Sequence, residues 1–573
     1  MAFGPSLPSM RGSMSSQGTS HRMMGTDPAA MAASRQIDAS ARLVVVKGGT
    51  GPMMARRSRG ISPQLTTSVV LSLLIALLSP VQTLAQPKGP QGQMNIAVDF
   101  SIAPTFFDPA ETPAMGTPYV FLYALHDALI KPLPGNAMTP CLAESWAESD
   151  DGLSVEFKLR EGLAFHNGDP FTAEDVKFSF ERYKGASAHL FRERVRDVEV
   201  VAPHRVRFHF TEPWPDFLAF YGTPAAGAAW IVPKQYVEKV GEDGFKKHPV
   251  GLGPYKFVEF QAGGNLVVEA NERYWRKMPA IKRLVFKGVP ERTTRLAMVK
   301  TGEADIGFLM TGPEAIETQQ DPKLKLAKTF SAAVWFIVFT EQADPKSPWH
   351  DPRVRRAVAH AVDMQAINEA ERLGFSRLTG SIVHRDMDFA LPLEPIPYDP
   401  AAAKRLLAEA GFPNGFDAGE VTPIPPFTSM GEAVVNYLGA VGIKARVRVM
   451  ERAAFFSAWR EKKIKGLIVT GTAQQGNAAA RIGEFAVGGG HFTSASYADI
   501  DELFQRQAKL RDREQRAAIL HDIQRRIYER TMFAPIMEVA TLHAVGPRVE
   551  EPAIGITPLT YFPTPYEDMR LKE

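Results

Sequence analysis

The feature that most restricts the fold is a change of period along the chain. Leu153, Val155, Phe157 and Leu159 alternate with Ser154, Glu156 and Lys158, the two-residue repeat of a strand with one face buried. Asn167-Gly168 supplies a turn with permissive backbone angles, and the pattern then becomes helical. Thr172 suits an N-cap, Asp175 stands in the capping-box position three residues on, and Phe171 can pack on Val176 as a hydrophobic staple. Val206, Phe208 and Phe210 predict a further strand, and YKFVEFQAGGNLVVEA a hairpin turning at Gly263-Gly264-Asn265. In DPRVRRAVAHAVDMQAINEAERLG, Asp351 caps and Pro352 takes the first helical position, while Val354, Ala357, Val358, Ala361 and Val362 recur at helical spacing. DPAAAKRLLAEAG repeats the device, opened by Asp399 and Pro400 and closed by Gly411. Ile519, Leu520, Ile523 and Ile527 mark a last long amphipathic helix. There is no internal repeat of fixed period. Strands and helices interleaved in this way predict an α/β fold.

The same reading settles a cluster that looks chemical. His166, Asp169, Glu174 and Asp175 fall within ten positions. His166 precedes the turn, Asp169 belongs to it, and Glu174 and Asp175 are first-turn carboxylates favoured by the helix dipole. Convergence on one metal would need a different geometry, so the reading is structural. At 573 residues the chain exceeds what one core organises, and two or three domains are predicted. The 66 basic residues balance 63 acidic ones with no dense Lys/Arg block beyond the N-terminal segment, which argues against nucleic-acid binding. Cys141 is the sole cysteine, so an intrachain disulfide and a site of several thiolates are excluded.

Residues 66 to 79, TTSVVLSLLIALLS, follow Arg56, Arg57 and Arg59 and precede PVQTLAQ. A basic stretch, an apolar run and a small-residue end make a secretory signal over 54–85, cleaved after Ala85 with Thr83 and Ala85 at the small positions. The apolar run is shorter than the ~20 residues that span a bilayer comfortably. Ser58, Arg59 and Gly60 behind the Arg56-Arg57 pair are not the apolar residues of a twin-arginine signal. No cysteine near residue 85 can carry a lipid, so an untethered periplasmic protein is predicted. Residues 1–53 read as an untranslated or disordered leader, with the natural start at Met53 or Met54.

With these elements placed, several blocks stand out in order: CLAESWAESDDGLSVEFKLREGLAFHNGDPFTAEDVKFSFER, VGLGPYKFVEFQAGGNLVVEANERYW, RLAMVKTGEADIGF, DPRVRRAVAHAVDMQAI and YDPAAAKRLLAEAGFPNGF. In them the chain resembles the extracytoplasmic solute-binding proteins of the peptide/nickel ABC-transporter family, the dipeptide- and oligopeptide-binding type, from about residue 95 to the end. The resemblance implies a type II periplasmic-binding-protein fold, with two lobes and an extra domain, three domains in all. Domain I would combine 93–137, 248–340 and 540–573, domain II would be 138–247, and domain III 341–539. It implies a monomer without cofactor or catalysis, which closes its lobes on a small-molecule or peptide ligand and delivers it to an ABC permease and its ATPase subunits.

One departure bears on the ligand. Peptide-binding members carry a Gly-Trp segment with an Asp that holds the ligand's ammonium. The matching stretch here, LIVTGTAQQGNAAARIG, has Gly471 at the Gly, Thr472 at the Trp and Gln475 at the Asp. Losing one partner of a buried charge pair costs about 2 to 5 kcal/mol, which disfavours free peptides unless another acid serves. Gln474 and Gln475 suit a neutral polyhydroxylated or amide-bearing ligand, and Arg481 could instead pair with a carboxylate or phosphate. Phe106, Phe107 and Tyr119 are candidate apolar walls. His491, after the run Gly488-Gly489-Gly490, is a candidate because the nickel-binding branch of the family uses a histidine, yet no metal-cage spacing accompanies it. A sugar-like, opine-like or metal-chelate ligand is thus the alternative to a peptide. A periplasmic hydrolase is disfavoured by the absence of Gly-x-Ser-x-Gly, His-Glu-x-x-His and Walker A patterns, and a chaperone-like role has no positive support.

Overall fold

The computed structural model describes residues 89–112, 117–222, 226–261, 264–424, 427–473, 476–558 and 560–572. The leader and signal segment, Gly263 of the hairpin turn, and the candidate ligand residues Gln474 and Gln475 lie outside them.

The local signals act as the sequence suggests. The strand Ser154–Leu159 turns Val155, Phe157 and Leu159 inward, each burial contributing roughly 1.5–3 kcal/mol. Leu153 departs from the prediction: it stands just before the strand and is exposed. The helix Ala173–Glu181 opens on its capping box, with the amide and hydroxyl of Thr172 both donating to Asp175 Oδ2, at 2.9 and 3.0 Å. The other oxygen of Asp175 accepts the Lys234 amide at 2.9 Å and so fixes the start of a second helix, Lys234–Lys247. Asp351 and Asp399 cap Pro352–Ala361 and Pro400–Glu409 by accepting the Arg353 and Ala402 amides. Gly411 follows the second of these with a positive φ of 92°, which a side chain would disfavour. The helix Arg513–Glu529 buries Ile519, Leu520, Ile523 and Ile527 together.

An eleven-stranded mixed sheet runs through the unit from residue 85 onward. From one edge its order is Ile443–Val447, Phe416–Pro423, Leu467–Ala473, Lys325–Phe339, Phe533–Val545, Ile306–Met310, Gln91–Val98, Ile281–Gly288, Asn265–Ala270 and Tyr255–Phe260, with the short strand Arg377–Leu378 added to Phe533–Val545. A separate antiparallel sheet joins Ala143–Glu148, Ser154–Leu159, Arg205–Phe210 and Val195–Ala202.

Two main hydrophobic cores lie on this frame. One gathers residues from Met94 to Phe308 with Val545 to Met569, and the four-stranded sheet packs into it; the other is drawn from Ala332 to Val539. The molecule is therefore a two-lobed α/β structure. The antiparallel pair Lys325–Phe339 and Phe533–Val545 carries the chain from one lobe to the other and back.

Candidate functional site

The junction between the lobes is irregular at a defined place. Along the two crossing strands Phe330 pairs with Ala540 and Val334 with Glu538, so three residues of one strand oppose Val539 of the other. Such a bulge bends the strand and breaks the ladder locally, which is where lobe rotation meets least resistance. Glu538, 1% exposed, sits at this point. It accepts the Arg385 amide and Nε, both at 2.8 Å, and pairs with Arg377 Nε at 3.1 Å. The Arg377 guanidinium in turn lies 4.0 Å from the centroid of Phe330, on the opposite strand. Three charges and one aromatic ring thus brace the bend.

Beside it, the edge of the second lobe is shaped by one aromatic pair. Trp335 opposes Gly471 in register, and a side chain at Gly471 would overlap the indole. Phe427, just before the helix Thr428–Ala440, meets the other side of Trp335 edge-on at 4.9 Å. The next residues along the Gly471 strand are those with which the sequence predicts ligand contact.

The lobes also touch through polar groups that local sequence patterns do not single out. Asp216 in the first lobe accepts two hydrogen bonds from Arg516 Nη2, at 2.7 and 2.8 Å, and one from Asn477 Nδ2 at 2.6 Å. Arg516 is held from behind by Gln507. Asn477 caps the helix Ala478–Phe485 that follows the Gln474-Gln475 segment, so the contact is mechanically next to the predicted ligand loop. The guanidinium of Arg511 adds bonds to the Ser149 and Asp150 carbonyls.

The predicted site residues are distributed around this junction and beyond it. Phe106 is partly buried and stacks on Phe121, with Phe100 edge-on. Phe107 and Tyr119 are 0% exposed inside the first core, against Phe260 and Trp230 respectively. Burial pushes the Tyr119 phenol well above its usual range. Arg481 is 3% exposed; its Nε donates to the Ile382 carbonyl and its guanidinium packs on Phe336 and Phe485. Burial lowers its pKa to about 9. The group expected to face an anion is thus enclosed by the second core. His491 is half exposed, bonded through Nδ1 to Glu484 at 3.0 Å, with its ring edge-on to His189 of the first lobe at 5.6 Å. No group of three His, Cys, Asp or Glu residues able to hold a metal occurs among the described residues, and none of their helices is long and apolar enough to cross a membrane.

Two lobes joined by a strand pair are compatible with a solute-binding fold, and sequence comparison decides the family. Residues 137–491 match the profile of the bacterial extracellular solute-binding proteins, family 5 Middle. The chain belongs to this family. Family 5 proteins bind solutes and are not enzymes, and this chain is a periplasmic binding protein of the peptide/nickel ABC-importer type. It is 28% identical over 447 residues to heme-binding protein A of Haemophilus influenzae, covering 72% of this chain and 81% of that one. It is 30% identical over 318 residues to the glutathione-binding protein GsiB of Salmonella typhimurium, covering 54% of this chain and 60% of the relative. In fold it is similar to the periplasmic binding protein DppA from Helicobacter pylori in complex with the peptide STSA, with a TM-score of 0.69 and 22% identity over 84% of this chain and 98% of the other.

Proposed function

We propose that this family 5 protein captures a small peptide or peptide-like solute at the junction of its two lobes and presents the closed complex to an ABC permease and its ATPase subunits. The observation that carries this reading is the bulged crossing of Lys325–Phe339 and Phe533–Val545, bridged by Asp216, Asn477 and Arg516 beside the Gly471 segment. The glutathione-binding relative supports a peptide-like ligand. The second core, drawn from Ala332 to Val539, supports a third domain over about 341–539; the remaining division, domain I at 93–137, 248–340 and 540–573 and domain II at 138–247, rests on family resemblance. Gln474, Gln475 and Phe106 are the proposed contacts nearest the ligand, with His491 at the rim, while Phe107, Tyr119 and Arg481 support from behind. The mature chain starts at residue 86, after a signal over 54–85. A non-peptide ligand is the second reading, and the amide of Gln475 where peptide binders carry a carboxylate favours it.

The test is native mass spectrometry of the mature chain purified gently from periplasm. A retained peptide mass supports the first reading, a retained sugar-like or opine-like mass the second, and absence of any retained or rebinding solute contradicts both.

A further inference from the structure

Buried arginines in this fold are normally satisfied by the protein. Arg295, 1% exposed, donates to the carbonyls of Val289, Pro290, Phe308 and Leu309. Arg355, also 1% exposed, donates to those of Trp349, His350, Arg530 and Thr531. Arg182 forms a two-pronged pair with Asp108. Arg372 is different. It ends the helix Met364–Arg372 and is 4% exposed, yet among the described residues its guanidinium has no hydrogen-bond acceptor and no carboxylate within ion-pairing distance.

What it does have is one aromatic ring, that of Phe427, 5.9 Å from the guanidinium carbon. Phe427 packs on Trp335 and Trp335 on Gly471, so Arg372 stands at the end of a row that leads to the predicted ligand segment. It also stands at the lobe junction: its own helix buries Met364 and Ile367 in the second core, whereas Leu373 and Phe375 after it pack with Leu296 of the helix Arg292–Thr301 and Met310 of the strand Ile306–Met310, both in the first lobe. The charged neighbours are Glu371, which favours the cation without pairing with it, and Arg292, which opposes it. Arg292 comes from the other side of the junction and bonds Thr311. Burial brings the pKa of Arg372 to about 10, so it remains a cation at neutral pH. Charged side chains are almost never fully buried without a partner. A guanidinium beside a single arene and lacking an acceptor is open to a carboxylate.

We propose that Arg372 is the anchor for a carboxylate of the transported solute, with Phe427 flanking its guanidinium and Arg292 adding attraction from the opposite lobe. This rests on the reading of the protein as a solute binder and narrows its ligands to anionic or zwitterionic ones. It also replaces Arg481, whose guanidinium is already engaged by the Ile382 carbonyl and by Phe336 and Phe485, as the anion-binding arginine.

The test compares the wild type with Arg372→Gln and Arg372→Lys, both in the mature chain. Calorimetric titration uses the tetrapeptide Ser-Thr-Ser-Ala as free acid and as C-terminal amide, with glutathione, whose γ-glutamyl residue would keep a carboxylate after C-terminal amidation, as free acid only, and native mass spectrometry follows the solute retained from periplasm. The expected result is a free acid, or a retained acidic solute, held about 30-fold or more weakly by Arg372→Gln, an intermediate loss for Arg372→Lys, and an amide bound by the wild type about as weakly as the acid is by Arg372→Gln. Without ligand, Arg372→Gln should melt at or above the wild-type temperature, because an uncompensated buried charge has been removed. Binding of the acid within threefold of wild type by Arg372→Gln, or a ligand-free Arg372→Gln that melts several degrees lower, overturns the anchor and leaves the solute-binding reading intact. A wild type that takes up only uncharged solutes overturns the anchor as well, and one that takes up none contradicts the solute-binding reading itself.

Discussion

Gly471 illustrates how a single residue is bound to the site by packing rather than by chemistry. Its lack of a side chain lets Trp335 lie flat against the strand. Gly471→Ala should therefore cost about 1–3 kcal/mol, the usual range for overpacking, and urea unfolding that showed no loss would contradict the close approach. His126 offers a titration test. It is 0% exposed, donates from Nε2 to the Phe107 carbonyl at 3.0 Å, and is held neutral by burial, with a pKa of about 4 against an ordinary value of about 6.5. Between these values the unfolded chain binds the extra proton. The contribution of His126 is therefore complete above pH 6.5 and is lost as pH falls toward 4, by up to about 1.4 kcal/mol per pH unit. Buried carboxyls with raised pKa, such as Glu567, act in the opposite sense, so the comparison must be internal. The stability difference between wild type and His126→Asn should narrow steadily from pH 7 to 4.5 in urea titrations, and a constant difference would contradict the assignment. Arg372 shows the limit of reading single residues from sequence, since a basic residue in the last turn of a helix is ordinary for dipole reasons. Only its enclosure without an acceptor sets it apart.

At the scale of elements, capping residues and apolar periods carried most of the information. Thr172 with Asp175, Asp351 with Pro352, and Asp399 with Pro400 each act within a few residues of the helix they start, so their physics is local and legible. The bulge opposite Val539 and the bridge from Asp216 to Arg516 are not. The latter joins residues 300 positions apart, and neither partner carries a local signature. The side chains of Arg516 and Asp216 are 4% and 13% exposed, so this bridge is shielded and specific to the observed lobe arrangement. Asp216→Asn keeps the shape and removes the charge. It should weaken solute binding about tenfold or more with little change in the melting of either lobe, and unchanged affinity in titration calorimetry would show that the bridge does not favour the closed arrangement. Glu538→Gln acts on the bulged crossing itself. It leaves Arg377 and Arg385 without their shared carboxylate, and because both are about one-third exposed and hydrated, the loss of stability should be about 1–2 kcal/mol, below that of a fully buried pair.

For the whole molecule, two cores joined by two strands suit the lobe movement proposed for solute capture. The α/β class follows from interleaved periods, and the family from blocks of sequence in order. The layout of the eleven-stranded sheet does not, because pairing across hundreds of residues leaves no periodic trace. The proposed ligand segment stands out in the sequence as a departure, Gln475 in place of a carboxylate, whereas the aromatic row that ends at Gly471 depends on the approach of Phe427 to Trp335 in space. Cys141, fully buried, will not compete for thiol labels, which makes the decisive experiment simple. Asp197→Cys on the four-stranded sheet and Arg405→Cys on the helix Pro400–Glu409 place exposed labels on opposite lobes. Single-molecule energy transfer between them, with and without the solute identified by native mass spectrometry, measures lobe closure directly. The account predicts a distribution that collapses to one shorter distance as the solute saturates, and a distribution indifferent to bound solute would contradict capture between closing lobes.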